Sequence, residues 1–150
     1  MDLNFQYAHH LHEESETKSN VNIGDAIAAF DQFEWESEVN KANELQKYSP
    51  TLSVIINGQN EMVGVSGYGE GGDLQFVSES HFPGEVSKWF GLSKSLGTVN
   101  LHTQTFNKAQ ARKAIELMIA KTTTASERYM HNKAAPYGGV TFTKTEGSHV

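Results

Sequence analysis

Leu3, Phe5 and Tyr7 alternate with Asn4 and Gln6 at the start of the chain, the two-residue period of a strand with one buried face. The stretch 9–20 is polar, charged and without a period, and reads as a loop. Ile23, Ile27 and Phe30 then fall on one side of a helix over roughly 23 to 33. Asn22 is its N-cap, and Asp25 three residues on complements the free amides of the first turn. Trp35, Val39, Ala42 and Leu45 keep helical spacing, with Glu34, Glu36, Glu38, Lys41 and Glu44 between them. This is a second helix or a bent continuation of the first. Pro50 closes it, because proline offers no amide hydrogen and pushes the residue before it out of the helical basin.

Beyond Pro50 the period returns to two. Runs over 52–56 and 62–66 flank Asn57, Gly58, Gln59 and Asn60, and Asn-Gly between β-branched runs is a hairpin signal. A second hairpin turns through Gly67 to Asp73 into a strand over 74–78. Phe82, Pro83 and Gly84 interrupt the pattern, and Val86, Trp89 and Phe90 make a short amphipathic piece, ended at Gly91 or Gly97, that is expected to cover the sheet. A strand over 98–106 follows. Asn107 with Gln110 is an Asn-capped form of the capping box, and Ala111, Ala114, Ile115, Met118 and Ile119 stripe a helix to about Lys121. After it come the β-branched Thr122 to Thr124, a polar stretch, and a turn at Pro136 to Gly139 before 140–143. Residues 122–150 are read as an extension that adds little to the core of one subunit and offers a strand for homo-oligomer formation.

The order predicts an α+β fold, an antiparallel sheet of about five strands with helices packed on one face, because short hairpin connections cannot join parallel strands. A chain of 150 residues fits one domain. Both tryptophans are expected in the core. Twelve basic against eighteen acidic residues leave a net charge of −6 with no basic stripe, which speaks against nucleic acid as a partner. No cysteine is present, so disulfides, thiolate chemistry and cysteine-held metals are excluded. No segment has the length to span a bilayer, and the cytoplasm is the expected compartment.

Candidate chemistry is sparse. Gly67, Gly69 and Gly72 spell GxGxxG after a strand, but a strand rather than a helix follows, and Glu70 and Asp73 would repel a phosphate. His9, His10 and His12, with Glu13 and Glu14, are the densest set of metal-ligating types, yet the sequence places no third converging ligand, so no metal site and no cofactor are expected. Glu79, His81 and His102 lie in or beside predicted strands and are the weak candidates for general acid–base work, although polar residues are ordinary on the open face of an antiparallel sheet. No GxSxG occurs.

The helical segment 23–45, the meander 51–80 entered through Ser49-Pro50-Thr51, and the closing strand and helix 97–120 together resemble, in layout, the small immunity proteins that bacteria encode beside polymorphic toxins. The resemblance covers about two thirds of the chain and implies a protein that blocks a toxin by binding it, with no active site of its own. The expected function is therefore that of a non-enzymatic protein-binding module. Glu34, Glu36, Glu38 and Glu44 on the second helix are the candidate contacts to a basic protein partner. The alternative is a small metal-dependent or His/Glu acid–base enzyme.

Overall fold

The computed structural model describes residues 1–56, 61–88, 93–120 and 141–145. Three helices and one seven-stranded antiparallel sheet make an α+β fold. The strands are β1 (Asp2–Gln6), β2 (Glu16–Lys18), β3 (Thr51–Ile55), β4 (Met62–Tyr68), β5 (Gln75–Lys88), β6 (Ser93–Phe106) and β7 (Thr141–Thr145), and their order across the sheet is β2-β1-β3-β4-β5-β6-β7. The helices are α1 (Ile23–Gln32), α2 (Trp35–Leu45) and α3 (Lys108–Ile119).

Strand alternation decides which side the helices cover. Leu3 pairs with Val54, Leu52 with Val65, Val54 with Val63, and Ser80 with Leu101, so one row of inward positions crosses the sheet. These residues are fully buried beneath Ala26 and Phe30 of α1, Trp35 of α2, and Ala111, Ala114 and Ile115 of α3. The alternating partners on the other face are polar: Asn4 with Ser53, Thr51 with Ser66, Glu79 with His102, and His81 with Asn100. Both helix starts expected from sequence carry complete capping boxes. The Asn22 and Asn107 side chains accept from the amides of Asp25 and Gln110, whose own side chains accept from the cap amides. Arg112 of α3 reaches Asp31 of α1 with two nitrogens, at 2.9 and 3.1 Å, and also pairs with Glu116.

Two expectations are corrected, and the strand count is refined. The stretch 9–20 is not all loop, because Glu16–Lys18 pairs with β1 as an edge strand. Its residues are polar and exposed, so nothing periodic marks them, and the pairing comes from the free edge of β1. The amphipathic cover expected after Phe82 is instead the continuation of β5 and β6, which pair from Phe82 with Val99 to Lys88 with Ser93. Pro83 misleads because β4 ends opposite His81, so among the described residues β5 is an edge strand there, and an edge strand tolerates a missing amide. The count rises from about five strands to seven, with β2 and β7 added at the two edges. β7 lies in the C-terminal extension and pairs with β6 of its own chain. The Asn57 to Asn60 turn, Trp89, Phe90 and 121–140 lie outside the described residues.

Of the GxGxxG glycines, Gly69 and Gly72 serve the β4–β5 hairpin, while Gly67 lies within β4. Gly69 has φ of +132°, and a Cβ there would run into the Asp73 carbonyl. At the far end of β5 and β6 the register slips between Phe76–Phe106 and Ser78–Thr103, a bulge in which Thr105 takes φ of +63°. Phe106 is thereby buried, immediately before the α3 cap.

Under α3 the core is less apolar than its neighbours. Ser78 and Thr103, opposite one another, and Ser80 are fully buried, and among the described residues their hydroxyls find no hydrogen-bond partner. An unmatched buried hydroxyl costs free energy that an isosteric methyl does not. Thr103→Val is therefore expected to raise stability by about 1 kcal/mol, read as a higher urea midpoint at unchanged m-value; a drop in the midpoint would reveal a partner for the hydroxyl.

Candidate functional site

Two surfaces gather the polar residues singled out from sequence. On the open face of the sheet, Glu79 stands directly across from His102, and His81 is two residues along the same strand. The sheet therefore does bring the three together. Glu79 is exposed and both histidines are half-buried. Among the described residues no hydrogen bond joins the carboxylate to either ring. Asn4, Ser53, Ile55 and Met62 with His81 border a shallow depression of about 310 Å³ on this face.

The second surface lies at the other end of the inward face, where β1 meets the α1–α2 junction. Phe5 and Tyr7 point to the helix side along with Leu3, but α1 buries only Leu3 completely. β2 adds nothing apolar to close the gap, since its sequence is Glu-Thr-Lys. The result is a groove of about 480 Å³. Its floor is a set of parallel rings: Tyr7 and Phe33 with centroids 5.4 Å apart, Phe5 and Tyr7 6.0 Å apart, and Phe5 and Phe33 6.4 Å apart, each pair within 5° of parallel. Lys18, Asp25, Glu34 and Glu38 stand around it. Asp25 and Glu34 are exposed and make the rim acidic, while the Glu38 carboxylate is buried and paired with Lys41.

Phe33 reaches this floor because the helical path breaks there. It caps α1 in an extended conformation, with φ of −64° and ψ of 129°, and its amide donates to the Ala29 carbonyl. Trp35 restarts the helix and donates from Nε1 to the Phe30 carbonyl at 3.0 Å, so the two helices share a buried turn.

The acidic residues of α2 divide. Glu34, Glu36 and Glu44 are exposed, as expected. Glu38 is not part of a solvent-facing row: only 7 % of it is exposed, and its Oε2 accepts from the Ala8 amide at 2.9 Å while its Oε1 accepts from Lys41 Nζ at 2.7 Å. Burial alone would push its carboxyl up, but the hydrogen bonds from Lys41 and the Ala8 amide outweigh this and hold it below the usual carboxylate range. Tyr7 moves the other way, raised by burial first and then by the charges of Glu16 and Glu38. Glu38 thus ties α2 to the end of β1, beside the groove.

Beyond the groove the chain turns back on itself through two hydrogen-bonded turns, His10 amide to Tyr7 carbonyl and Glu14 amide to Leu11 carbonyl, both 3.0 Å. His9 stacks on Tyr7 and sits edge-on to His10 at 4.3 Å. His10 and His12 do not share a ligand set, because His12 is turned against Tyr48. Glu16 of β2 instead approaches His10 Nε2, at 3.7 Å. It is the converging third ligand type that the sequence did not place, brought in by the β1–β2 pairing of Phe5 with Glu16.

Replacing Glu38 with alanine leaves the Ala8 amide buried without its acceptor, so the substitution is expected to cost about 1–3 kcal/mol at neutral pH. The carboxyl is held low in the folded chain, so its contribution is complete above the unfolded carboxyl pKa of about 4.3 and is lost as pH falls through the folded value. The stability gap between Glu38→Gln and the parent chain should therefore narrow as the pH is lowered below about 4, measured by denaturant unfolding across that range; a gap that widens in acid would contradict the assignment.

Compared with known protein families, with curated proteins and with solved structures, the chain finds no match, so the role of these surfaces has to be read from their own geometry.

Proposed function

We propose that the chain is a non-enzymatic protein-binding module that takes a basic segment of a partner protein into the groove between β1 and the α1–α2 junction. The observation that carries this reading is the combination of an aromatic floor, Phe5, Tyr7 and Phe33, with an acidic rim at the exposed Asp25 and Glu34. Exposed aromatic faces supply contact area and attract cations through their quadrupoles. Carboxylates at the rim steer a basic surface toward them. Glu36 and Glu44 extend the same charge along α2. The resemblance of the layout to immunity proteins suggests a class for the partner, a toxin whose basic surface this groove would cover, and the cytoplasm is where such a complex would act.

A second reading, a His/Glu acid–base enzyme, is favoured by one observation, the cross-strand placement of Glu79 opposite His102 with His81 beside them. It predicts activity that depends on these three side chains and is indifferent to α2. The two readings separate cleanly, because the surfaces lie on opposite faces of the sheet.

Affinity capture from the source organism, followed by binding kinetics, tests the first reading. Changing Glu34, Glu36 and Glu44 together to Gln should slow association by roughly tenfold at low ionic strength, with the difference shrinking as salt screens the charges. Phe5→Ala, at a half-buried groove position, should act mainly on dissociation, because it removes contact area rather than charge. An association rate unchanged in the triple variant at every salt concentration would reject the acidic rim as the steering surface.

A further inference from the structure

We propose that His9, His10 and Glu16 form a binding site for a borderline divalent transition ion of the zinc or nickel class. Each of the three offers one ligand atom, and these atoms lie within 4.8 Å of one another. Imidazole nitrogen with a single carboxylate oxygen is the donor set such ions select, while calcium and magnesium prefer oxygen alone.

The three side chains are held to different degrees, and in a way that suits closure on an ion. His10 is the fixed point: its side chain is 10 % exposed, its ring stands edge-on to Tyr7, and its Nδ1 accepts the Tyr7 amide at 3.1 Å. The His9 backbone is pinned, with its carbonyl accepting from Lys47 Nζ at 3.1 Å and the preceding Ala8 amide donating to Glu38, while its ring is exposed. Glu16 is exposed on β2 and already faces His10 Nε2. Donors around a tetrahedral ion with bonds of about 2.1 Å stand roughly 3.4 Å apart. The cluster therefore has to contract by up to about 1.4 Å at its widest, a movement that the two exposed side chains can make toward the His10 ring. Water completes the coordination.

Binding has one identifiable cost. With Nδ1 accepting the Tyr7 amide, the neutral His10 ring carries its proton on Nε2, the atom that faces the site. An ion at Nε2 moves that proton to Nδ1, and the Tyr7 amide loses its acceptor. Metal binding at this site is thus coupled to a specific change at Tyr7, whose ring forms part of the groove floor. His12, in contact with Tyr48, stands outside the set.

Titration of the metal-free full chain with zinc and with nickel, by calorimetry and by amide NMR, tests the site. The expected result is one ion per chain, bound more tightly than about 10 µM, with displacement of the Tyr7 amide resonance on saturation. His9→Ala and Glu16→Gln, both at exposed positions, should each weaken binding at least about tenfold, and His12→Ala should leave it within about twofold. Affinity weaker than about 10 µM, retention of affinity in His9→Ala or Glu16→Gln, or a Tyr7 amide that does not move would each overturn the proposal.

Discussion

The indole of Trp35 lies against a stretch of β4 that has no side chain. A Cβ on Gly67 would sit 3.0 Å from Trp35 Cε3 and 3.2 Å from Val39 Cγ2, so glycine is what lets α2 approach the sheet this closely. From that position Trp35 stands edge-on to Phe76, leans on Phe30 and Phe33, and bonds the Phe30 carbonyl through its ring nitrogen. Aromatic contacts of this kind add about 0.5–1.5 kcal/mol per pair beyond the area they bury. Their larger effect here is geometric. Fixing Trp35 fixes the end of α1 and the start of α2 together, which puts Phe33 over β1 and, one turn further along α2, Glu38 onto the Ala8 amide. The shape of the groove follows from those two placements.

The division of the sheet into a covered and an open face has the same origin. α3, joined to α1 across their surface by Arg112 and Asp31, covers β4, β5 and β6, and α2 sits over β4. Nothing apolar reaches past β1, because β2 is three polar residues long. Phe5 and Tyr7 are thus inward-facing residues at the end of a core that stops one strand short, and their half-exposed rings are a consequence of topology rather than of any local irregularity. On the opposite face the side chains are mostly polar, with Ile55 and Met62 among them, and the strand register collects Glu79, His81 and His102 with no hydrogen bond between them. The contrast with Glu38, which makes two short hydrogen bonds, is direct.

Much of this was legible in the sequence where the signal is local. The capping boxes at Asn22 and Asn107, the alternating runs of β1, β3 and β4, the helical stripes and the antiparallel order are all set by residues within a few positions of one another. What local pattern could not carry was partnership at a distance. Glu38 looked like one acid among several on a polar helix, and its burial depends on the Ala8 amide thirty residues away. β2 has no periodicity and exists through pairing with β1. Pro83 and Gly84 read as breakers, although an edge strand accommodates both. Phe5 and Tyr7 had a strand signal, yet nothing nearby distinguishes a core ring from a groove ring. The nearest clue was the absence of any apolar residue in 12–20, which leaves the neighbouring edge with nothing to cover it.

Recognition through the groove requires that a bound partner touch the aromatic floor. Comparing the aromatic NMR resonances of the chain, free and in complex with its captured partner, examines that contact without substituting any residue. The signals of Phe5, Tyr7 and Phe33 should shift on binding while the ring protons of His81 and His102 stay where they are. Shifts confined to His81 and His102, with the three groove rings unmoved, would place the partner on the open face of the sheet and contradict the account.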